Sequence, residues 1–170
     1  MNPARERGMR AEREACVLLS QALDLDVRRM ANQGIREDIG DLVGIPNVTV
    51  QVSAVPDNPT EIARRAKTKV VDAITQAERA GTTHALVLLR IDGGHWRAIC
   101  TTEQLDRHGA LSDAAVLIDP PAPGHVIRWA PVFAAADWIA VDRSGPWVST
   151  LNGWARTYLT QRTVTNGATR

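Results

Sequence analysis

Two carboxylates, an amide and a pair of lysines are the groups in this chain best placed to do chemistry together. Glu12 lies in Arg7-Gly8-Met9-Arg10-Ala11-Glu12-Arg13-Glu14, Asp41 in Asp38-Ile39-Gly40-Asp41-Leu42, and Gln51 in Val50-Gln51-Val52-Ser53. The only lysines, Lys67 and Lys69, follow Arg64 and Arg65 in a basic stretch. Carboxylate, amide and peptide oxygens that converge from rigid elements can hold a hard divalent cation. A nearby ammonium can then stabilise negative charge building on a phosphate. Arg7, Arg10, Arg36, Arg64 and Arg65 would form a basic rim that attracts phosphates to an acidic centre. Either basic cluster taken alone reads first as a solvated helix face.

The elements that must position these groups are legible from periodicity. Residues 7–24 read as a helix, with Ala11, Ala15, Leu18 and Ala22 recurring at helical spacing. Glu12 heads the adjacent row Cys16, Leu19 and Leu23 and should lean inward, whereas Glu14, beside Arg10 and Gln21, should face solvent. Extended segments are expected at 27–31 and 35–43, separated by a Gln33-Gly34 turn. Gly44-Ile45-Pro46-Asn47 is turn chemistry, and residues 48–55 alternate with period two as a strand does. Asp41 and Gln51 therefore face each other across one turn, and Gln51 and Ser53 share a face of their strand. Asn58-Pro59 opens a helix over 59–80 with a stripe of Ile62, Ala66, Val70, Ile74 and Ala77, ended by Gly81. Strands at 84–91 and 95–100 are joined by Asp92-Gly93-Gly94, and Thr101 and Gln104 cap a short helix.

This order predicts an α/β fold, a central mixed sheet flanked by helices, with the strand at 48–55 near its middle. Residues 1–110 form the expected core and 111–161 a small Trp-rich C-terminal extension packed on it. Within the extension, 119–124 reads as a loop, 126–129 as a strand and 145–160 as helical. Residues 162–170 read as a flexible tail.

Composition bounds the rest. The formal net charge is +1, so global electrostatics announce no nucleic-acid binder, and only the local clusters speak for one. The charged N-terminus lacks the apolar segment of a secretory signal, and no run has the roughly 18 apolar residues of a membrane span. Cys16 and Cys100 share no metal-ligand spacing and read as two buried thiols of a cytoplasmic protein. His84, His95, His108 and His125 likewise share none.

Over residues 5–107 the ordered set of motifs resembles the short phage and archaeal Holliday-junction resolvases of the PD-(D/E)XK nuclease superfamily. In those proteins a helix bearing G-x-x-x-E-R precedes a G-D strand, a strand ending E-x-K, a helix and a hairpin. ITQAERAGTTHALVLLRIDGGHWRAICTTEQL is similar to their closing part. The resemblance implies a restriction-endonuclease-like core and a Mg²⁺- or Mn²⁺-dependent endonuclease that cuts branched DNA in recombination. It implies a two-fold homodimer too, for which Trp96 or the Trp-rich segment is the expected contact. Glu12, Asp41, Gln51 and the backbone carbonyl of Val52 would be the metal ligands. The chain departs from the pattern twice: Gln51 stands for the acid of E-x-K and Ser53 for its lysine. Lys67 or Lys69, on the next helix, is then the available source of the cation. Two other readings stay open: a nuclease fold that has lost catalysis but kept DNA binding or an assembly role, and an interaction protein docking through its tryptophans.

Overall fold

The same dipeptide opens both long helices. In α1 (Pro3–Leu23) the Asn2 side chain accepts the Ala4 N–H at 3.0 Å and proline takes the first turn. In α2 (Pro59–Ala80) Asn58 accepts the N–H groups of Thr60 and Glu61 at 3.0 and 3.2 Å. Each cap satisfies donors that a first turn leaves without a partner, and proline has no N–H to lose there. The cap carries α1 back to Pro3, one turn ahead of the start expected from the apolar rows alone. Both helices stop at a left-handed residue, Asp24 and Gly81.

The computed structural model describes residues 2–30, 39–100, 115–117, 138–140, 147–150, 154–156 and 158–159. Its strands are β1 (Arg28–Arg29), β2 (Leu42–Val43), β3 (Val48–Val55), β4 (His84–Ile91), β5 (His95–Cys100), β6 (Ala115–Leu117), β7 (Trp138–Ala140) and β8 (Trp147–Thr150). They make one sheet in the order β1-β2-β3-β4-β5-β8-β7-β6. The first three strands pair antiparallel, α2 crosses over, and β4 returns parallel to β3 from Val48↔His84 to Val55↔Ile91. β5 pairs antiparallel with β4. The protein is thus α/β, with a mixed sheet between helical layers.

Alternation along the strands sorts side chains into two cores. Val48, Val50, Val52, Leu86, Leu88, Trp96, Ala98 and Cys100 pack against Ala11, Ala15, Leu19 and Leu23 of α1. Val55, Val87, Leu89, Ile91 and Ile99 pack against Ile62, Ala66, Val70, Ala73 and Ala77 of α2. Ala73 rather than Ile74 completes the α2 stripe, since a three-residue step there keeps the row on the sheet; Ile74 is only partly buried.

The β2–β3 turn leaves no room for a side chain at Gly44. Its φ is +104°, and a Cβ there would stand 2.2 Å from the Asp26 carbonyl oxygen. The C-terminal part of the chain reaches this same turn, where the Tyr158 hydroxyl donates to the Pro46 carbonyl at 3.2 Å. Trp154 and Tyr158 stack at 5.4 Å and are buried in the α1-side core.

β3 lies inside the sheet between β2 and β4, near its middle as expected, and β8, β7 and β6 extend the sheet beyond β5. Two expectations need revision. Residues 147–150, expected within a helix, form β8 and pair antiparallel with β5 from Arg97↔Thr150 to Cys100↔Trp147; among the described residues of 145–160, 154–156 and 158–159 are helical. The sheet thus includes strands from both sides of residue 110. Trp96 and Trp154 are buried in the chain's own core and are not available as a contact surface. The expected Gln33-Gly34 turn, the helix after Thr101, the strand at 126–129 and the tail at 162–170 lie outside the described residues.

Candidate functional site

Gly40 brings Asp41 against β3. Gly40 has φ +112°, and an added Cβ would stand 3.0 Å from Thr49 Cγ2 and 3.1 Å from the Val50 carbonyl oxygen. Only glycine tolerates both the conformation and the approach. Asp41 is then held on three sides. Its N–H donates to the Val50 carbonyl at 2.8 Å, and its carbonyl accepts the Met30 N–H at 2.8 Å. Its Oδ2 accepts the Val52 N–H at 2.7 Å. The β2–β3 register runs through Leu42↔Val50, and the Asp41 carboxylate serves as the acceptor for the β3 N–H just past it.

Gln51 lies between Val50 and Val52, which point into the α1-side core, so its side chain faces α2. It is only 4% exposed. Lys69 meets it there: Nζ donates to Gln51 Oε1 at 3.4 Å and to Asp72 Oδ2 at 2.9 Å. The first bond is long and the second is an ordinary charge-assisted one. The lysine is therefore held chiefly by Asp72 and turned toward Gln51. Arg65 lies one turn before Lys69 on the same row, and its buried Nε has no hydrogen-bond partner.

The other expected site residues stand elsewhere. Glu12 faces β1 in the α1 layer, where Arg29 Nε donates to its Oε2 at 2.7 Å, so its charge is matched before any cation arrives. Lys67 is exposed, as are Arg7, Arg10 and Arg64; Arg64 is paired with Glu61 at 2.7 Å. Arg36 lies outside the described residues. Glu14 does not point to solvent alone. Its Oε2 accepts Arg90 Nε at 2.6 Å and its Oε1 accepts Trp96 Nε1 at 3.1 Å. Burial pushes its pKa up, but the bonds from Arg90 and Trp96 and the charges of Arg90 and Arg10 outweigh that and hold it low.

Sequence reasoning passed over Asp72, although its spacing three residues after Lys69 was a readable helix-neighbour signal. Cys16 and Cys100 carry no disulfide, and burial raises the Cys100 thiol to about 12, so it is chemically inert at neutral pH.

As ligands, Asp41, Gln51 and the Val52 carbonyl are all oxygen donors, the kind a hard cation takes, but they carry one negative charge between them. Among the described residues no three His, Cys, Asp or Glu side chains come close enough to hold a metal ion. No helix among the described residues is long and apolar enough to cross a membrane. No protein-family model, curated protein or solved structure matches the chain.

Proposed function

We propose that this chain is a divalent-metal-dependent, structure-selective endonuclease of branched DNA, resembling the Holliday-junction resolvases and acting in the cytoplasm as a two-fold homodimer. One observation carries the reading: Lys69 extends from α2 to the side-chain oxygen of Gln51, the position that holds the acid in the resolvase pattern. A helix-borne lysine thereby stands at the strand that Ser53 leaves without one. The order of elements supports the finer reading of the fold as a restriction-endonuclease-like core: a helix, three antiparallel strands, a crossover helix and a parallel strand.

On this reading Asp41, Gln51 and the Val52 carbonyl would hold Mg²⁺ or Mn²⁺, which supplies Lewis-acid activation of the phosphodiester. The donors fit such an ion in kind, and their single charge makes the site weaker than one with three carboxylates. Lys69 stabilises the charge that builds on the phosphate oxygens. Arg7, Arg10, Arg36, Arg64 and Arg65 contact flanking phosphates and supply most of the affinity.

A second reading has its own support. With Gln51 and Ser53 in place of acid and lysine, and Glu12 engaged by Arg29, the fold would bind DNA or serve in assembly without cutting. Labelled four-way junction and duplex DNA, incubated with Mg²⁺, Mn²⁺ or chelator, separate the two. The wild type should cut the junction only with metal, Lys69→Ala should cut far more slowly at similar affinity, and Gln51→Glu with Ser53→Lys should cut faster. If neither wild type nor the double variant cuts any DNA, the non-catalytic reading replaces this one. A monomer in sedimentation at micromolar concentration, with and without DNA, would remove the dimer.

A further inference from the structure

On α2, Arg65, Lys69, Asp72 and Gln76 fall at steps of four, three and four residues, a single row beside the apolar stripe that packs on the sheet. Gln76 is 5% exposed and Arg65 Nε is buried, so the two ends of this polar row turn toward the sheet, while its middle reaches the edge of solvent. β3 runs into α2 and α2 runs back over it, which sets the middle of the row above Gln51. Lys69 stands there with two acceptors, Asp72 Oδ2 at 2.9 Å and Gln51 Oε1 at 3.4 Å. Its side chain is 26% exposed and that of Asp72 is 44% exposed. The carboxylate forms the shorter, charge-assisted bond, so it decides where the ammonium rests.

We propose that Asp72 is the positioning residue of this centre: it anchors the Lys69 ammonium beside the Gln51 oxygen, and so lets a flexible helix lysine do what a strand lysine does when fixed by its backbone. A lysine has four rotatable carbon–carbon bonds and a strongly hydrated head group, so without an anchor it sweeps solvent. Asp72 is the more exposed of the two partners, with a side chain 44% exposed. The inference rests on the nuclease reading for its consequence in catalysis, and on the geometry alone for the placement of Lys69.

The chain's two lysines make a clean assay. Full-length wild type, Asp72→Asn and Asp72→Glu are exposed to an acetylating N-hydroxysuccinimide ester, and modification of Lys69 relative to the exposed Lys67 is read by peptide mass spectrometry. Asp72→Asn should raise the Lys69 to Lys67 ratio about two- to fivefold, the shift expected when a half-exposed ion pair is lost, and Asp72→Glu should return it toward wild type. On junction DNA the same Asn variant should lower kcat with KM held, again restored by Glu. An unchanged labelling ratio in Asp72→Asn overturns the proposal, and so does a raised ratio in a cleaving protein whose kcat does not move. If no variant, including Gln51→Glu with Ser53→Lys, cuts DNA, the nuclease reading falls, and the labelling ratio by itself decides whether Asp72 places Lys69.

Discussion

Asp41→Asn should abolish junction cleavage, lowering the rate about a thousandfold or more, while DNA affinity stays level or rises slightly. The magnitude follows from removing the only carboxylate of the proposed metal site, since a cation's stabilisation of a reacting phosphoryl group is worth several kcal/mol. Affinity is spared because phosphate contacts come from arginine and lysine, and one negative charge near them has gone. The choice of asparagine matters here. Asp41 Oδ2 accepts the Val52 N–H at 2.7 Å, so Asp41→Ala would orphan a partly buried donor and cost about 1–3 kcal/mol of stability besides. Asparagine keeps an acceptor oxygen at that place and removes only the charge. Urea unfolding should therefore show Asn close to wild type and Ala below it, while both fail to cut. An Asn variant that cuts at the wild-type rate would take Asp41 out of the chemistry and leave it a structural acceptor for β3.

The parts of this fold that local rules govern were legible in the residues. β3, α2, β4 and β5 fall where alternation, the Asn58-Pro59 cap, Gly81 and the Asp92-Gly93-Gly94 hairpin put them. The same cap logic applied to Asn2-Pro3 would have started α1 correctly. What local rules do not govern was lost. Trp147, Trp154 and Tyr158 repeat at seven and four, a helical spacing. Yet Trp147–Thr150 is a strand because the open edge of β5 is there to pair with it. Aromatic and β-branched residues suit that edge, and tertiary pairing overrode the period. The approach of Asp41 to β3 was visible from the intervening turn, and the structure shows it in the bonds to Val50 and Val52. The contact of Lys69 with Gln51 depends on how α2 is rotated over β3, which no spacing fixes. Glu14 was misread for a related reason: its partners Arg90 and Trp96 lie 76 and 82 residues away, and helix neighbours alone suggested solvent.

Glu14→Ala should destabilise the protein by about 2 kcal/mol, an effect seen in stability rather than in metal or DNA binding. Glu14 joins α1 to β4 and β5 through Arg90 and Trp96, which face each other across the strand pair. Alanine leaves the Arg90 guanidinium, on a side chain 20% exposed, without its carboxylate, and it leaves the indole N–H of a tryptophan 8% exposed without an acceptor. Bonds to a charged group contribute roughly 1.5–3 kcal/mol when sheltered, and the 35% exposure of the Glu14 side chain discounts that figure. Glu14→Gln keeps one acceptor oxygen and should lose about half as much. The dependence on pH identifies the charge as the cause. The folded-state pKa of Glu14 lies below the ordinary 4.5, so its ionised form stabilises the fold. That contribution is complete above the ordinary value and is lost as pH falls through the depressed one. Unfolding free energies of wild type and Glu14→Gln should thus differ most near neutral pH and converge on the acid side of 4.5. A gap that stays constant from pH 7 to the acid limit of folding would mean that shape, not the carboxylate's charge, binds α1 to the sheet.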